Sequence, residues 1–305
     1  HRRDYGIETR TEIVVVPEDA AEVRRITLTN DGDTAREIEV TSYGEVVLAP
    51  PAADRQHPAF SNLFVETEWH EWCAALTATR RPRSAKEARL WCVHVVEAGG
   101  SERVGRPSFE TDRARFLGRG RSPRDPYALE HDGALSGSRG AVLDPIFAIR
   151  VRVRLAPGQS ASVAFTTLVA DSAKRAFALA DRYHDSNTAQ RALDLAWTAS
   201  QVELRELGVS PSDASVFQEL AGHLFYAHPA LRAPDVEVRA NTGAQPLLWS
   251  HGISGDWPIL LAHIRSTDGI PTIAQLFSAH HYWRRRGMMV DFVVLNEHPS
   301  GYLQE

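Results

Sequence analysis

Cysteine is scarce in this sequence, whose 305 residues include only Cys73 and Cys92. Two cysteines are too few for a disulfide framework or for a four-ligand structural zinc site. Both lie in apolar stretches with the composition of β-strands, where a thiol behaves as a small hydrophobic side chain. We therefore expect two buried free thiols in a protein of a reducing compartment.

Long apolar segments and a positive net charge are also lacking. No apolar run approaches the roughly 18 residues needed to cross a bilayer, and the N-terminus lacks the charged-then-apolar pattern of a secretory signal. The formal net charge of -5 excludes a uniformly basic surface for nucleic acid. The arginine-rich stretch Arg103–Arg124 also contains Glu110, Asp112 and two prolines, so we interpret it as a solvated loop. We expect this segment to contact neither nucleic acid nor a membrane.

Alternation of apolar and polar residues predicts strands through most of residues 1–170. The stretch TEIVVVPEDAAEVRRITLTNDG ends in a turn, and FAIRVRVRL alternates apolar residues with Arg150, Arg152 and Arg154. We interpret these arginines as a solvated row that pairs with glutamates across the sheet, with an anionic ligand as the alternative. Many short strands without intervening helices predict an antiparallel β-sandwich. Further strand candidates are REIEVTSYGEVVLAPP with Val46–Leu48, Leu63–Glu68, Ala74–Arg80, Leu90–Glu97 and SASVAFTTLV.

The period becomes helical at Asp171. Three successive amphipathic helices follow, with Ser210 as an N-cap and Gly208 as a C-cap. The segments PILLAHI, PTIAQLFSAHHYWRRRG and MMVDFVVLNE then predict a strand, a helix ended by Gly287, and a second strand. This order is typical of a small parallel crossover unit. The predicted divisions are a sandwich over 1–170, linker helices over 171–232 and an α/β segment over 233–305.

The most unusual stretch is LLWSHGISGDWPI, residues 247–259. It places Trp249 and Trp257 beside His251, Asp256 and two glycines. Tryptophan faces stack on sugar rings, and a carboxylate or imidazole fixes hydroxyl groups by hydrogen bonds. These four residues are therefore candidate substrate-binding groups. In the structural alternative, both indoles belong to a core and Asp256 accepts hydrogen bonds from backbone N–H groups of the turn.

Asn296 and Glu297 end the last predicted strand, where polar groups of α/β units commonly project into a site. We add both to the candidate substrate-binding residues. If the two strands are parallel, the loop lies where the first begins and Asn296–Glu297 where the second ends. The two groups would then lie on opposite edges of the sheet, which argues against one shared pocket.

Other chemistries match this segment poorly. Gly252-Ile253-Ser254-Gly255 places its second glycine one residue too early for the G-x-S-x-G elbow of a serine hydrolase, and Pro258 disturbs the helix that should follow. A phosphate loop needs a lysine, which the segment does not have. A serine hydrolase thus remains a third alternative, which predicts inhibition by an organophosphate probe.

The histidines do not have metal-site spacing. His280 and His281 are adjacent, and His223 and His228 are five apart, whereas a helical zinc site uses an i, i+4 pair. We interpret them as single buried or surface side chains. We assign no metal ligand and no organic cofactor to the sequence.

Six stretches, taken in order, resemble one known family. They are SYGEVVLAPPAADRQHPAFSNLFVETEW, ATRRPRS, ETDRARFLGRGR, LDPIFAIRVRVRLAPG, LLWSHGISGDWPILL and YWRRRGMMVDFVVLNEHPSGYLQ. Together they resemble the glycoside hydrolase family 94 region, formerly glycosyltransferase family 36, of bacterial cyclic β-1,2-glucan synthases. The likeness extends over essentially the whole chain.

The resemblance implies a β-super-sandwich, linker helices and then the start of an (α/α)6 barrel, which this chain would contain in truncated form. It also implies cleavage of a β-glucoside with inversion, with inorganic phosphate as co-substrate where the parent enzyme is a phosphorylase, and with water or another sugar as the alternative acceptor. One aspartate is then the general acid, and phosphate replaces the second carboxylate of an inverting glycosidase. The family's catalytic and phosphate-binding groups lie in the barrel beyond Glu305. We therefore assign no catalytic residue, and neither Asp256 nor Asp291 is named as the acid.

The resemblance further implies that the partners are β-glucan oligosaccharides and the rest of the same polypeptide, and it leaves a homodimer open. It places the segment on the cytoplasmic side of a larger inner-membrane-tethered protein. From the first residue, His1, and the ending SGYLQE we expect a fragment that is inactive alone. Two functions compete: the non-catalytic half of an inverting β-glucan phosphorylase-like module, and a stand-alone carbohydrate-binding or scaffold β-sandwich. In the first of these functions, the loop at residues 247–259 is expected to fix a turn near the barrel.

Overall fold

The computed structural model describes residues 1–82, 84, 87, 89–99, 102–130, 133–226 and 233–297. The chain divides into two compact units, residues 1–198 and 199–305. The predicted sandwich lies in the first unit, and the predicted strand–helix–strand segment lies in the second. The end of the predicted linker helices, 227–232, and the chain ending SGYLQE fall outside the described residues.

Alternating apolar residues form strands in the first unit, as the sequence predicts. The alternation turns every second side chain toward the same face of a sheet, so one face can be buried while the other is wet. The described strands are β1 Arg2–Asp4, β2 Ile7–Val15, β3 Ala21–Asn30, β4 Arg36–Thr41, β5 Gly44–Glu45, β6 Val65–His70, β7 Ala75–Arg80, β8 Trp91–Gly99, β9 Glu102–Arg103, β10 Ser108–Asp112, β11 Gly140–Ala141, β12 Pro145–Leu155 and β13 Ser160–Ala170.

These strands form two antiparallel sheets, which confirms the predicted sandwich class. The larger sheet has eight strands in the order β1-β2-β3-β13-β8-β7-β6-β11. Early and late strands meet in its middle, because Val163 of β13 lies opposite Ile26 of β3 and also opposite Ala98 of β8. The smaller sheet is centred on β12, which pairs with β10, β4, β5 and β9.

The two faces of the larger sheet are covered by different partners. One face packs against the smaller sheet, in a core that includes Leu76, Phe165 and Ile149. The other face packs against a helix whose Leu179 shares a second core with Val93. Full burial of one such side chain is worth about 1.5–3 kcal/mol. The helices that begin in this unit are α1 Pro51–Gln56, α2 Pro58–Asn62, α3 Arg113–Leu117, α4 Ala173–Tyr183, which covers that face, and α5 Thr188–Leu207.

Both cysteines are buried free thiols, as predicted. Burial raises the pKa of Cys92 to about 12 and that of Cys73 to about 11. The thiolate is the reactive form of cysteine, so both side chains serve as apolar packing groups.

The arginine row of β12 is only partly the solvated row that the sequence predicts. Arg152 lies opposite Glu39 and forms an ion pair with it, as expected. Arg150 is 4% exposed, because the chain around Ala128 and Gly133 lies over it. Its guanidinium donates to both carbonyl groups, so its charge is desolvated but hydrogen-bonded.

The predicted solvated loop Arg103–Arg124 is wrong in its middle, which contains β10 and α3. Glu110 of β10 is 2% exposed. Its Oε1 accepts from the backbone N–H groups of Thr111 and Asp112, each at 2.9 Å, and its Oε2 accepts from the Ser136 hydroxyl. A carboxylate with three donors can be buried in a strand. Composition therefore overstated how exposed this stretch is.

The predicted strand through Val46–Leu48 is also wrong. The pairing with β12 ends at Glu45, and the next backbone link is the Val46 N–H to the Pro145 carbonyl at 3.0 Å. Leu48 has a φ of 48°, in the left-handed region where its Cβ is crowded. A β-strand cannot continue through such a residue, so the chain leaves the sheet here.

The second unit contains the predicted parallel crossover. Ile259 lies opposite Asp291 and Ile264 opposite Asn296, which makes the two strands parallel and in register. The helix between them is the crossover connection that parallel neighbours need. The elements are α6 Pro211–Phe225, α7 Asp235–Ala240, α8 Pro246–Trp249, β14 Ile259–Ile264, α9 Ile270–Arg285 and β15 Asp291–Asn296.

The core of the second unit lies between α6 and α9. Phe217 of α6 packs against Tyr282 and Trp283 of α9. The Trp283 indole N–H is satisfied by the Phe217 carbonyl at 2.9 Å, which lets this large side chain be buried.

The predicted helix boundaries are confirmed at three positions. The Ser210 hydroxyl accepts from the Asp213 N–H at 3.1 Å at the start of α6. Gly208 and Gly287 follow α5 and α9 with φ values of 64° and 76°, which is the left-handed cap that glycine favours. None of the helices among the described residues combines the length and apolarity required to cross a membrane.

Candidate functional site

The loop between α8 and β14 is closed by polar hydrogen bonds. The Gln245 amide donates to the Ser254 carbonyl at 2.9 Å and to Asp256 Oδ1 at 3.1 Å. The Trp249 indole N–H donates to the same Ser254 carbonyl at 3.3 Å. Asp256 thus accepts from a side chain, where the structural alternative expected backbone donors. Both Asp256 and the Trp249 N–H help to hold the turn.

Ser254 ties this loop to the parallel sheet. Its hydroxyl accepts from the Asp256 N–H at 3.1 Å and donates to Asp291 Oδ2 at 3.5 Å. Gly252 and Gly255 have φ values of 71° and 72°, which only glycine adopts without a steric cost. A strand follows the loop where a serine-hydrolase elbow needs a helix, so the elbow geometry is not formed.

Both tryptophans of the loop are exposed, Trp249 at 62% and Trp257 at 48%. The alternative that places both indoles in a core is therefore wrong. The reason is that α8 is a single turn that contributes no buried residue, and His251 beside it is exposed as well. Exposed indole faces next to a carboxylate suit stacking and hydrogen bonding to a sugar. Substrate binding by these residues stays a prediction.

Asn296 and Glu297 lie at the opposite end of the sheet from the loop. Six-residue strands at about 3.3 Å per residue separate the two ends by about 17 Å. The Glu297 carboxylate pairs with Arg265 Nε at 3.2 Å and lies 3.5 Å from His263 Nε2. The six candidate residues therefore form two separate groups, as the parallel order predicts.

The first unit contains a cleft that the sequence does not reveal. Its volume is about 600 Å³, and it lies between the larger sheet and the segment 41–48. His94 forms part of its floor, with Nδ1 2.8 Å from Thr167 Oγ1 and Nε2 2.8 Å from Ser42 Oγ. Nowhere in the part of the chain that the structure describes do three or more His, Cys, Asp or Glu side chains converge as metal ligands would.

His94 is buried, hydrogen-bonded and neutral at the base of this cleft. Its ring stacks between Phe147 and Phe165, with each pair of ring centroids 5.7 Å apart. Burial, with a smaller contribution from the charge of Arg24, lowers the pKa of His94 to about 4. The sequence signal was a single histidine in the apolar stretch WCVHVVE, which is typical of a satisfied core histidine and indicates no cavity.

Comparison with known proteins assigns the family. The model of the "Glycosyl hydrolase 94, supersandwich domain" family matches residues 1–186, which is more than half of the chain. The chain belongs to the glycosyl hydrolase 94 super-sandwich family. The resemblance inferred from the ordered motifs is thereby confirmed, and the antiparallel sheets of the first unit agree with it.

A curated relative extends this family likeness into the second unit. The cyclic beta-(1,2)-glucan synthase NdvB of Rhizobium meliloti is 38% identical to this chain over 300 residues, which is 98% of this chain and 10% of that protein. The chain therefore spans about a tenth of the length of that relative. A solved polysaccharide lyase aligns with 56% of this chain and 21% of its own chain, at 15% identity and a TM-score of 0.32. That score is too low to support any argument.

Proposed function

We propose that this chain is the super-sandwich half of a family 94, inverting phosphorylase-like module that acts on β-1,2-glucan chains within a cyclic glucan synthase. The observation that carries the proposal is the 38% identity to such a synthase along 98% of the chain. The identity runs through both units, so the proposal applies to the second unit as well as to the sandwich. In that setting the chain would be the cytoplasmic part of a larger membrane-tethered protein.

The proposed role is structural and glucan-binding, with catalysis performed by groups of the parent protein's barrel. An inverting phosphorylase needs an acid on one face of the glycosidic bond and bound phosphate on the other. Asp256 accepts from Gln245 and Asp291 accepts from Ser254, so both carboxylates are engaged in closing the loop. We therefore give neither the role of general acid.

The exposed loop residues Trp249, His251, Asp256 and Trp257 are the proposed glucan contacts in the second unit. Two indoles with free faces beside polar groups provide the stacking surface that a sugar chain uses. Asn296 and Glu297, at the other end of the sheet, would contact a different part of the same chain or the barrel. The side chains of all six residues are exposed, which suits a role along an open path to the barrel.

The first test is the activity of the parent protein. The gene that encodes this chain is expressed in full and compared with the 305-residue chain for release of glucose 1-phosphate from β-1,2-gluco-oligosaccharides. We expect release by the parent protein and none by the 305-residue chain. If the parent protein also releases none, but the 305-residue chain binds the oligosaccharide, the stand-alone binding module replaces the proposal.

The loop contacts are tested by calorimetric titration with the same oligosaccharides. We expect Trp257→Ala to weaken binding by about tenfold, the loss expected for one stacked ring worth about 1.4 kcal/mol. Trp197→Ala is the matched control, because Trp197 is also exposed, at 68%, but lies on α5 and is not one of the proposed glucan contacts. Equal affinities for the Trp257 variant and the wild type would remove the loop from the proposed site.

A further inference from the structure

The cleft of the first unit has the size and rigidity of a ligand site. Its volume of about 600 Å³ is within the range of small-molecule pockets. Its outer wall is anchored to β12, because the Ser42 N–H donates to the Ile149 carbonyl at 2.9 Å and the Val46 N–H to that of Pro145 at 3.0 Å. The cleft is therefore preformed.

The cleft exists because the two sheets differ in width. Ile7 at the start of β2 packs into the core between the two sheets, whereas the inward face at the end of β2 is left open. Ile13 on that face is 56% exposed and Val15, two residues on, is 70% exposed. Ile13 lines the cleft and Val15 does not, so the open face forms one side of the cleft mouth.

The wall opposite this face contains a strained residue. Leu48 lines the cleft with a φ of 48°, a conformation that costs a leucine free energy through Cβ crowding. Strained backbone that persists in a rigid wall is concentrated at ligand sites in known proteins. The strain turns Val46–Leu48 away from the sheet, and these three aliphatic residues form an apolar side of the cleft.

Polar groups at the mouth supply hydrogen bonds in both directions. Glu22 and Arg24 line the mouth from β3 and pair with each other. Glu45 lines it from β5, and Tyr43 lines it from the position before that strand. The Tyr43 hydroxyl donates to Glu45 Oε1 at 2.9 Å. Arg113 supports both, with Nε 2.9 Å from the same Glu45 oxygen. The mouth thus presents fixed carboxylate acceptors, a guanidinium donor and a phenol.

The charges at the mouth of the cleft are paired and favour no ionic ligand. Glu22 pairs with Arg24. Glu45 pairs with Arg113, so the two carboxylates are balanced by two guanidinium groups. His94 on the floor adds no charge, since burial lowers its pKa to about 4. A neutral molecule with apolar faces and many hydroxyl groups satisfies both the aliphatic wall and the polar mouth, and a pyranose has this character.

We propose that this cleft is a binding site for a neutral saccharide, separate from the loop of the second unit. For the linkage of that saccharide the inference rests on the proposed function, which supplies β-1,2-linked glucose. For the site itself it rests on the cleft alone. The site would hold a sugar chain on the sandwich while another part of the chain is processed elsewhere.

The test is calorimetric titration of the 305-residue chain with linear β-1,2-gluco-oligosaccharides, and with cellobiose and maltose as saccharides of other linkage. Ile13→Trp fills the mouth from an exposed strand position, and we expect binding to weaken at least about tenfold. Val15→Trp is the matched control on the same strand and face, with affinity expected to stay within about twofold. Glu45→Gln, which removes an acceptor charge without changing shape, should weaken binding about fivefold.

The outcomes separate this inference from the proposed function. Loss of saccharide binding in Ile13→Trp but not in Val15→Trp supports the cleft as the binding site. A preference for the β-1,2 linkage supports the proposed function as well. If cellobiose or maltose binds and the β-1,2-gluco-oligosaccharides do not, the cleft remains a saccharide site, but the proposed linkage is contradicted. Binding that Trp257→Ala abolishes and Ile13→Trp leaves intact overturns the cleft while the proposed function stands.

Two further results would overturn the saccharide assignment. One is the absence of binding of any of these sugars by the folded wild-type chain. The other is a cleft that takes up a neutral apolar dye such as Nile red but no sugar. If Ile13→Trp blocked the dye, the ligand would be identified as apolar. If Ile13→Trp does not fold, as judged by circular dichroism, the Glu45→Gln titration decides, and an unchanged affinity overturns the inference.

Discussion

The two units of this chain cover their sheets in different ways. In the first unit each large sheet face has a partner, since the smaller sheet covers one side and α4 the other. In the second unit β14 and β15 pack on α9 through residues such as Leu260, while Leu261 and Leu295 remain 59% and 44% exposed. Parallel strands are normally covered on both faces. The antiparallel unit covers both faces of its large sheet except at the end of β2, where Ile13 and Val15 are exposed. The described part of the parallel unit, in contrast, leaves apolar positions open on both of its strands.

The two units also differ in whether their polar side chains are buried or exposed. The sandwich buries Glu110, Arg150 and His94, and each has hydrogen-bond partners that are themselves fixed. The loop of the second unit keeps Asp256 and Trp249 at the surface and uses them to close a turn. A buried network specifies one arrangement because every unmade bond is costly. An exposed turn has water as an alternative partner, so its substitution costs less.

The largest expected effect comes from a matched pair of leucines in the two units. Leu168→Ala on β13, where the side chain is 0% exposed, should lower the free energy of unfolding of the first unit by about 2–5 kcal/mol. Leu261→Ala on β14, where the side chain is 59% exposed, should change that of the second unit by no more than about 0.5 kcal/mol. Native-state hydrogen exchange measures both units separately. Similar losses would show that the β14 face is covered in solution.

The next largest effect is a dependence of the stability of the first unit on pH. The folded-state pKa of His94 is lowered to about 4, while the unfolded value is near 6.5. As the pH falls from about 6.5 to 4, the unfolded chain takes up a proton that the folded chain does not bind. Stability should therefore decrease over this range by about 3 kcal/mol.

Urea unfolding of two variants between pH 4 and 7 isolates the contribution of His94 to this decrease in stability. His94→Gln should remove the His94 contribution to the decrease. Thr167→Val removes one hydrogen-bond partner of the ring but retains the imidazole. This variant should therefore be less stable than the wild type at pH 7, and its stability should still decrease as the pH is lowered. A His94→Gln profile parallel to that of the wild type would contradict the assignment of this histidine as buried and neutral.

The smallest expected effect is in the loop of the second unit. Alanine at either glycine must adopt a positive φ, which costs roughly 1–2 kcal/mol. At Gly255 the new Cβ would also lie 2.9 Å from Gln245 Cγ, whereas at Gly252 it would meet open space. Gly255→Ala should therefore destabilise the loop more than Gly252→Ala, as measured by hydrogen exchange of the loop amides. The reverse order would mean that Gln245 does not pack beneath the turn.

Sequence patterns predicted the parts of the fold that depend on local chemistry. Alternation located β3, β12 and β13, and the residues Ser210, Gly208 and Gly287 located helix ends, because capping depends on the backbone of a few adjacent residues. The separation of Trp249 from Asn296 also followed from the sequence, since a strand–helix–strand order implies parallel strands. Patterns failed at Glu110 and Leu48, where partners distant in sequence override the local preference.

The amino-acid sequence by itself determined the sandwich class, the family and the division between strand-rich and helical parts, because periodicity and ordered motifs are properties of the chain alone. Only the tertiary structure decided what is buried. It left Trp249 exposed, covered Arg150 and opened a cleft over His94, since burial depends on which remote segment lies above a residue. Alternation shows that a strand has two faces, but the width of the opposing sheet decides how much of each face is covered.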